Sequence, residues 1–391
     1  MMDWKSGSRP SRLVWALLLA VAALALVAAG CGGDDEGSGG GGGEGSIWVL
    51  LPDSASSDRW EADDRRFFEE AFDEAGVEYT IVNAEGDAAN QQSQAEQAIA
   101  DGASVILLTS LDTGSGGSII EQAKEAGVAV VEYDRFNTGS SGGDAYVSFD
   151  NVKVGATMAE VLEPAIDALG LDKPRVVMLN GGEEDNNSFL FKDGYSATVQ
   201  ARVDAGEWEL VADQFTPGWD NAEGLKIMEQ ILVSANNDVN AVFAANDGLA
   251  QSTITALESA GLDPTTIPIS GQDATAAGIQ NVLLGKQTMS VYKPIEAEAK
   301  VAAAVALALR AGDDIAAIDP GYDFSLIGIN SSDGKPAESA DGEGVVPYVA
   351  LVPIGVTTDN VADTVIADGF RTIEELCTGD TSETTFCQEN A

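Results

Sequence analysis

Residues 104–136 read SVILLTSLDTGSGGSIIEQAKEAGVAVVEYDRF, and their pattern decides the fold. An apolar run of strand length, SVILLT, precedes an amphipathic helical stretch that stops at Gly127, and a second apolar run, VAVVEY, follows. Strands that are apolar on both faces are covered by helices on both faces. A glycine after the last helical turn supplies the left-handed stop. The unit is therefore β-α-β, with its two strands parallel in one sheet. The same alternation extends in both directions. Upstream, SIWVLL precedes RWEADDRRFFEEAFDEAG and EYTIVNA precedes NQQSQAEQAIADG, with Gly76 and Gly102 as stops. Downstream of AYVSFDN the pattern restarts with RVVMLN, a helix from Asn187, WELVADQF, EGLKIMEQILVSA, AVFAAN and GLAQSTITALESAG. It continues through IPISG, AAGIQNVLLG, QTMSVY, a long helix from Pro294 and a last run, YVALVPI. That is more strand than one sheet holds comfortably. The reading is α/β, with two Rossmann-like, doubly wound parallel-sheet lobes.

The N-terminus is set apart from this pattern. Lys5, Arg9 and Arg12 precede an uninterrupted apolar run from Leu13 to Ala29, and small residues lead into Cys31. Residues 1–30 read as a signal peptide; an uncleaved anchor is the alternative, since the run is near the lower length limit for a spanning helix. AAGC resembles a bacterial lipobox, with Ala28 where leucine is usual. That resemblance implies a lipid on Cys31 and attachment to the outer face of the cell membrane. Residues 31–45 are Gly-rich and acidic, a composition that buries no core and behaves as a flexible tether.

Composition narrows the function. The chain carries 64 Asp+Glu against 20 Lys+Arg, a formal net charge of −44. Such a surface repels nucleic acid and anionic lipid. There is no histidine, which removes Ser-His-Asp and Cys-His catalysis and most zinc sites. Neither a Walker A sequence nor an EF-hand loop is present, and no cofactor or metal is expected. Cys377 and Cys387, in CTGDTSETTFC, read as a local disulfide in an exported protein.

In doubly wound sheets ligands sit beyond the carboxyl ends of the strands. The residues there read DSASSDRW, YDRF, NGGEEDNNSF, QFTPGWDN, AANDG, SGQDA and VYKP. Carboxylates, amides and cations recur, and two of these turns carry a Trp. Each sugar hydroxyl both donates and accepts a hydrogen bond, so it suits Asp on one side and Asn, Arg or Lys on the other. The apolar C–H face of a pyranose stacks on flat aromatics, which gives Trp60 and Trp219 a role. Taken singly, YDR reads as a surface salt bridge, Trp60 as core or interface and AND as a helix N-cap. DTGSGGS (112–118) lacks phosphate-loop spacing and reads as a solvent-facing helix cap. It is the recurrence of polar strand ends across both halves that points to a sugar.

The quoted turns, in this order, resemble the D-xylose-binding proteins of bacterial ABC importers, within the ribose-type periplasmic binding protein family. The likeness runs from about Ser46 to the tail and rests on RW, YDR, VSFDNVKVG, NGG…DNN, GWDNA, AND, SGQDA and VYKP. It implies a type I periplasmic binding protein, with two lobes joined by three hinge crossings and a monosaccharide enclosed between them. The implied first lobe is 46–149 plus 294–342 and the second 150–293 plus 343–391, with the third crossing between about Ala340 and Pro347. The implied sugar contacts are Arg59, Trp60, Asp134, Arg135, Asp185, Asn187, Trp219, Asn246, Asp273 and Lys293, with Asn186 as the rival to Asn187. D-xylose is the first expectation, then D-glucose or a wider aldose range. The implied partner is an ABC permease; a sensor feeding a chemotaxis or kinase receptor would use the same cleft. A glycosidase would need one raised carboxyl of a pair such as Asp134 and Asp273, but Arg135 and Lys293 beside them favour two ionised carboxylates. No catalytic activity is expected.

Overall fold

The computed structural model describes residues 45–315, 319–321, 323–328 and 345–390. The leader, Cys31 and all of the tether but Gly45 lie outside those residues.

The first lobe begins with β1 (Ile47–Leu51), β2 (Tyr79–Asn83), β3 (Val105–Leu108), β4 (Ala129–Tyr133) and β5 (Ala145–Phe149). Every residue of β1, β3 and β5 is buried, as expected of strands covered on both faces. The connecting helices are α1 (Arg65–Ala75), α2 (Ala88–Ala100) and α3 (Thr113–Glu125). Helix α1 buries Phe67, Phe68 and Phe72 and ends on Gly76 at φ 65°. Asp112 caps α3 by accepting from the Gly114 and Ser115 amides, so DTGSGGS is spent on its own helix.

The second lobe runs through α4 (Asn151–Asp167), β6 (Arg175–Asn180), α5 (Asn186–Asp204), β7 (Glu209–Phe215), α6 (Asn221–Ser234), β8 (Ala241–Ala244), α7 (Asp247–Ser259), α8 (Ala276–Leu283) and β9 (Ser290–Tyr292). Strands β7, β6 and β8 are parallel neighbours in that order. Parallel bridges from Val242 to Ile269 and from Gln272 to Val291 carry the sheet on to β9. IPISG thus supplies a bridge, not a full strand. Helix α9 (Ile295–Ala311) then returns to pack on α1, β3, β4 and β5.

The expected third crossing and the lobe boundary at residue 343 are corrected by the strands that follow. β10 (Phe324–Gly328) is antiparallel to β11 (Val345–Leu351), and β11 lies parallel to β5 from Tyr348–Tyr146 to Leu351–Phe149. The first-lobe sheet therefore has the order β10-β11-β5-β4-β3-β1-β2 among the described residues. Only β12 (Ile354–Val356), antiparallel to β9, belongs with the second lobe. YVALVPI looks like one strand, but Pro353 has no N–H to continue a ladder. The chain changes lobes there. Beyond it lie the short helices α10 (Ile373–Leu376) and α11 (Thr385–Asn390), with Cys377 and Cys387 joined in a disulfide.

Candidate ligand cleft

All ten expected residues line a single cavity between the lobes, together with Ser56, Ser57, Phe191 and Gln272. Topology explains the convergence, since nine of the ten follow the carboxyl end of a strand and Asp273 follows the Gln272 bridge to β9. The loop after β1 supplies Ser56, Ser57, Arg59 and Trp60, and the turn after β4 supplies Asp134 and Arg135. From the second lobe come Asp185, Asn187 and Phe191 after β6, Trp219 after β7, Asn246 after β8, the Gln272–Asp273 turn, and Lys293 after β9. Asn186 does not line the cavity; its neighbour Asn187 does. Of the four residues not anticipated, Phe191 had a signal, because i and i+4 share a helix face with Asn187. Ser56, Ser57 and Gln272 are small or common residues inside turns already singled out, and nothing in the sequence distinguishes them.

Three cavity residues hold left-handed backbone: Asp134 at φ 61°, Trp219 at φ 54° and Asp273 at φ 96°. Such conformations cost about 1–3 kcal/mol each and persist where the surroundings over-determine them. At Asp134 the restraint is visible. Its carbonyl accepts from Tyr146 Oη (3.1 Å), Ser148 Oγ (2.8 Å) and Asn187 Nδ2 (3.1 Å).

The Asp134 carboxylate is the hub of the charges. Its Oδ2 accepts from Arg59 Nη1 (2.8 Å) and Lys293 Nζ (3.0 Å), and its Oδ1 from Asn187 Nδ2 (3.1 Å). Burial pushes this carboxyl up, but Lys293, Arg59 and Arg135 outweigh it and hold the group well below the usual carboxylate range. Arg59 spends its other donors on Asp64, at 2.8 and 2.7 Å, and on Glu298 at 2.9 Å. Among the described residues four of its five N–H groups are thereby engaged, which leaves one on Nη1 facing the cavity side. Glu298, behind the cavity, is pushed up to about 8 by burial, against the pull of Arg59. Asp185 is also raised by burial, partly offset by Arg135.

The two indoles differ in setting. Trp60 donates Nε1–H to Ser56 Oγ (3.3 Å) and carries the Arg59 and Arg135 guanidinium carbons 4.3 and 5.5 Å from its ring centroid. Trp219 donates Nε1–H to Asp185 Oδ2 (3.2 Å) and lies against Gly181. The lobes also bond directly to each other. Ser57 Oγ donates to Asp273 Oδ2 (2.8 Å), Asn246 Nδ2 to the Ser56 carbonyl (3.2 Å), and Arg135 Nε pairs with Asp185 Oδ2 (3.1 Å). The free space inside is ≈ 30 Å³, room for a water or two. Among the described residues, no group of three or more His, Cys, Asp or Glu is placed to hold a metal ion.

Comparison with known proteins agrees with this architecture. The model of the periplasmic binding protein domain matches residues 48–314. The chain is 35% identical over 324 residues to the D-xylose-binding periplasmic protein of Escherichia coli, covering 83% of this chain and 90% of that one. It is 34% identical to the protein of the same name from Haemophilus influenzae, covering 84% and 91%. Among solved structures, an ABC transporter solute binding protein from Clostridium phytofermentans with bound β-D-glucose superposes with a TM-score of 0.72 at 25% identity, over 85% of this chain and 99% of that one. These are binding proteins and not catalysts. The chain belongs to the periplasmic sugar-binding protein family, as an extracytoplasmic solute-binding protein.

Proposed function

We propose that the cleft captures one D-xylose molecule, and that the ten strand-end residues bind it as the sequence suggests. What carries the reading is the convergence, from both lobes, of cations, carboxylates, amides and two indoles on one enclosed space. Asp134 accepts from one hydroxyl while Arg135, Lys293 and Asn187 serve its neighbours, and Trp219 covers an apolar ring face. Ligand bonds then replace the direct lobe-to-lobe bonds, so the sugar favours closure by bonding both lobes at once. The closed form is what the permease receives. A lipid on Cys31 keeps the protein beside that permease, which detergent partition of the wild type and of Cys31→Ser would read out. D-glucose is the second reading, favoured by the superposition on a glucose-bound relative.

The test is isothermal titration of the purified protein with D-xylose, D-glucose, D-ribose and L-arabinose. The expected result is micromolar or tighter binding of D-xylose at a stoichiometry near one. Preference for D-glucose would replace the ligand and keep the cleft; silence with all four would overturn the sugar class.

A further inference from the structure

Arg371 lies on the C-terminal tail and does not line the cavity, yet its side chain is buried between the lobes. Nη1 and Nη2 donate to Asp63 Oδ1 and Oδ2 at 3.2 and 3.0 Å, and Nε donates to the Ala274 carbonyl at 3.0 Å. Asp63 belongs to the helical turn Trp60–Asp64, which opens with a cavity residue and follows another, Arg59. Ala274 follows the cavity residue Asp273. One guanidinium therefore ties a ligand-bearing turn of the first lobe to a ligand-bearing turn of the second.

The second turn needs holding. Asp273 and Ala274 both have positive φ, 96° and 46°, a conformation that side chains other than glycine's resist. Bonds from Asp273 N to Val291 O (2.9 Å) and from Ala274 N to Ser290 Oγ (3.0 Å) fix the turn from the strand side. Arg371 takes its carbonyl from the other. The platform beneath Arg371 is itself fastened. Thr372 and Glu375 form a capping box on α10, and Gln280 of α8 donates to Glu375 O (2.9 Å) and Thr378 Oγ1 (3.0 Å). Phe370 packs on Tyr292, ring centroids 4.9 Å apart, one residue before Lys293.

We propose that Arg371 is a positioning residue for ligand capture: an interlobe clasp outside the cavity that keeps the Trp60–Asp64 and Asp273–Ala274 turns in register while the lobes are together. The proposal rests on the cleft being the sugar site proposed above.

The test compares the wild type with Arg371→Ala, Asp63→Asn and the double variant, by titration with D-xylose and by small-angle scattering with and without the sugar. Each single change is expected to weaken binding about tenfold and to enlarge the radius of gyration, because fewer molecules hold the lobes together. The double variant is expected to be no weaker than the poorer single, as for residues acting as one unit. Lowered thermal stability with wild-type affinity and wild-type compaction would make the contact merely structural and overturn the clasp. If the wild type binds none of the sugars, the sugar reading fails separately, and scattering still decides: a more open Arg371→Ala supports the clasp, an unchanged radius overturns it. Should Arg371→Ala not fold, Arg371→Lys keeps the charge beside Asp63 but loses the planar fork. An intermediate loss of affinity is then expected, and wild-type affinity would overturn the proposal.

Discussion

Gly181 shows how little separates a working cavity wall from a blocked one. A Cβ there would lie 2.2 Å from Cζ2 and Cη2 of Trp219, closer than any real contact, so the indole must leave its place. Gly181→Ala changes no charge or hydrogen-bonding group of the site and is expected to weaken sugar binding at least about tenfold, or about 1.4 kcal/mol. Titration that returns the wild-type affinity would remove Trp219 from the binding surface. Arg135 tests geometry instead of shape. Its Nε pairs with Asp185 across the cleft while Nη1 donates to the Ser110 carbonyl at 3.0 Å on its own side. A lysine keeps the charge but carries its donors on a single nitrogen and loses the planar spread by which Nε and Nη1 reach separate acceptors. Arg135→Lys should therefore bind sugar more weakly, and an unchanged titration would return this arginine to a purely structural salt bridge. At this scale the sequence was legible where a residue is chemically conspicuous, as with Trp60, Trp219, Arg135 and Lys293. It was not legible for Ser56 and Ser57, because a serine in a loop carries no mark of its partner across the cleft, the Asp273 carboxylate for Ser57 Oγ and the Asn246 amide for the Ser56 carbonyl.

Elements were legible where periodicity was strong and illegible where one proline decided the matter. The alternation of buried strands and glycine-stopped helices carried most of both lobes, because parallel sheets leave near-continuous apolar runs. β10 lies antiparallel to β11 at the edge of the first-lobe sheet, a pairing that repeated βαβ logic does not produce. The resemblance implies a boundary at residue 343 that puts all of YVALVPI in the second lobe, whereas the strand before Pro353 pairs with β5 and only the residues after it pair with β9. The tail after β12 is an element of another kind, short helices too brief to stand alone and held by a disulfide across ten residues of sequence. Closing a loop of that length is worth about 2–3 kcal/mol in the chain-entropy description. Cys377→Ser with Cys387→Ser is expected to lower the melting temperature by a few degrees and to expose the tail to proteolysis first. Equal melting temperatures and equal protease resistance would show that packing of α10 on α8 suffices without the covalent link.

The charge of the whole molecule sets how its stability responds to pH. Three buried carboxyls titrate late: Glu132 and Asp247 are each pushed up to about 7, and Glu298 to about 8, burial being the first cause in every case. Glu132 accepts from the Asn137 amide (2.7 Å), Asn137 Nδ2 (2.9 Å) and the Gly143 amide (2.8 Å), which reduces but does not cancel the cost of burying its charge. Each of these groups binds its proton more tightly folded than unfolded. The stability that preference confers is therefore complete below the ordinary values of 4.5 for Glu and 3.8 for Asp, and is lost as pH rises through 7 and 8. Asp134 acts in the opposite sense. Its carboxyl is held below the ordinary 3.8, so its contribution is present above that value and fades in stronger acid. Repulsion among the surface acids of a chain with net charge −44 grows with pH and reinforces the first trend. The melting temperature is thus expected to peak near pH 5 and to fall by several degrees toward pH 8.5, with salt recovering only the surface part. Glu132→Gln cannot ionise and should flatten the alkaline slope. Scanning calorimetry at a fixed ionic strength decides the matter: a melting temperature that rises between pH 5 and 8.5, or a slope that Glu132→Gln leaves unaltered, would mean that these carboxyls reach water more readily than their burial implies.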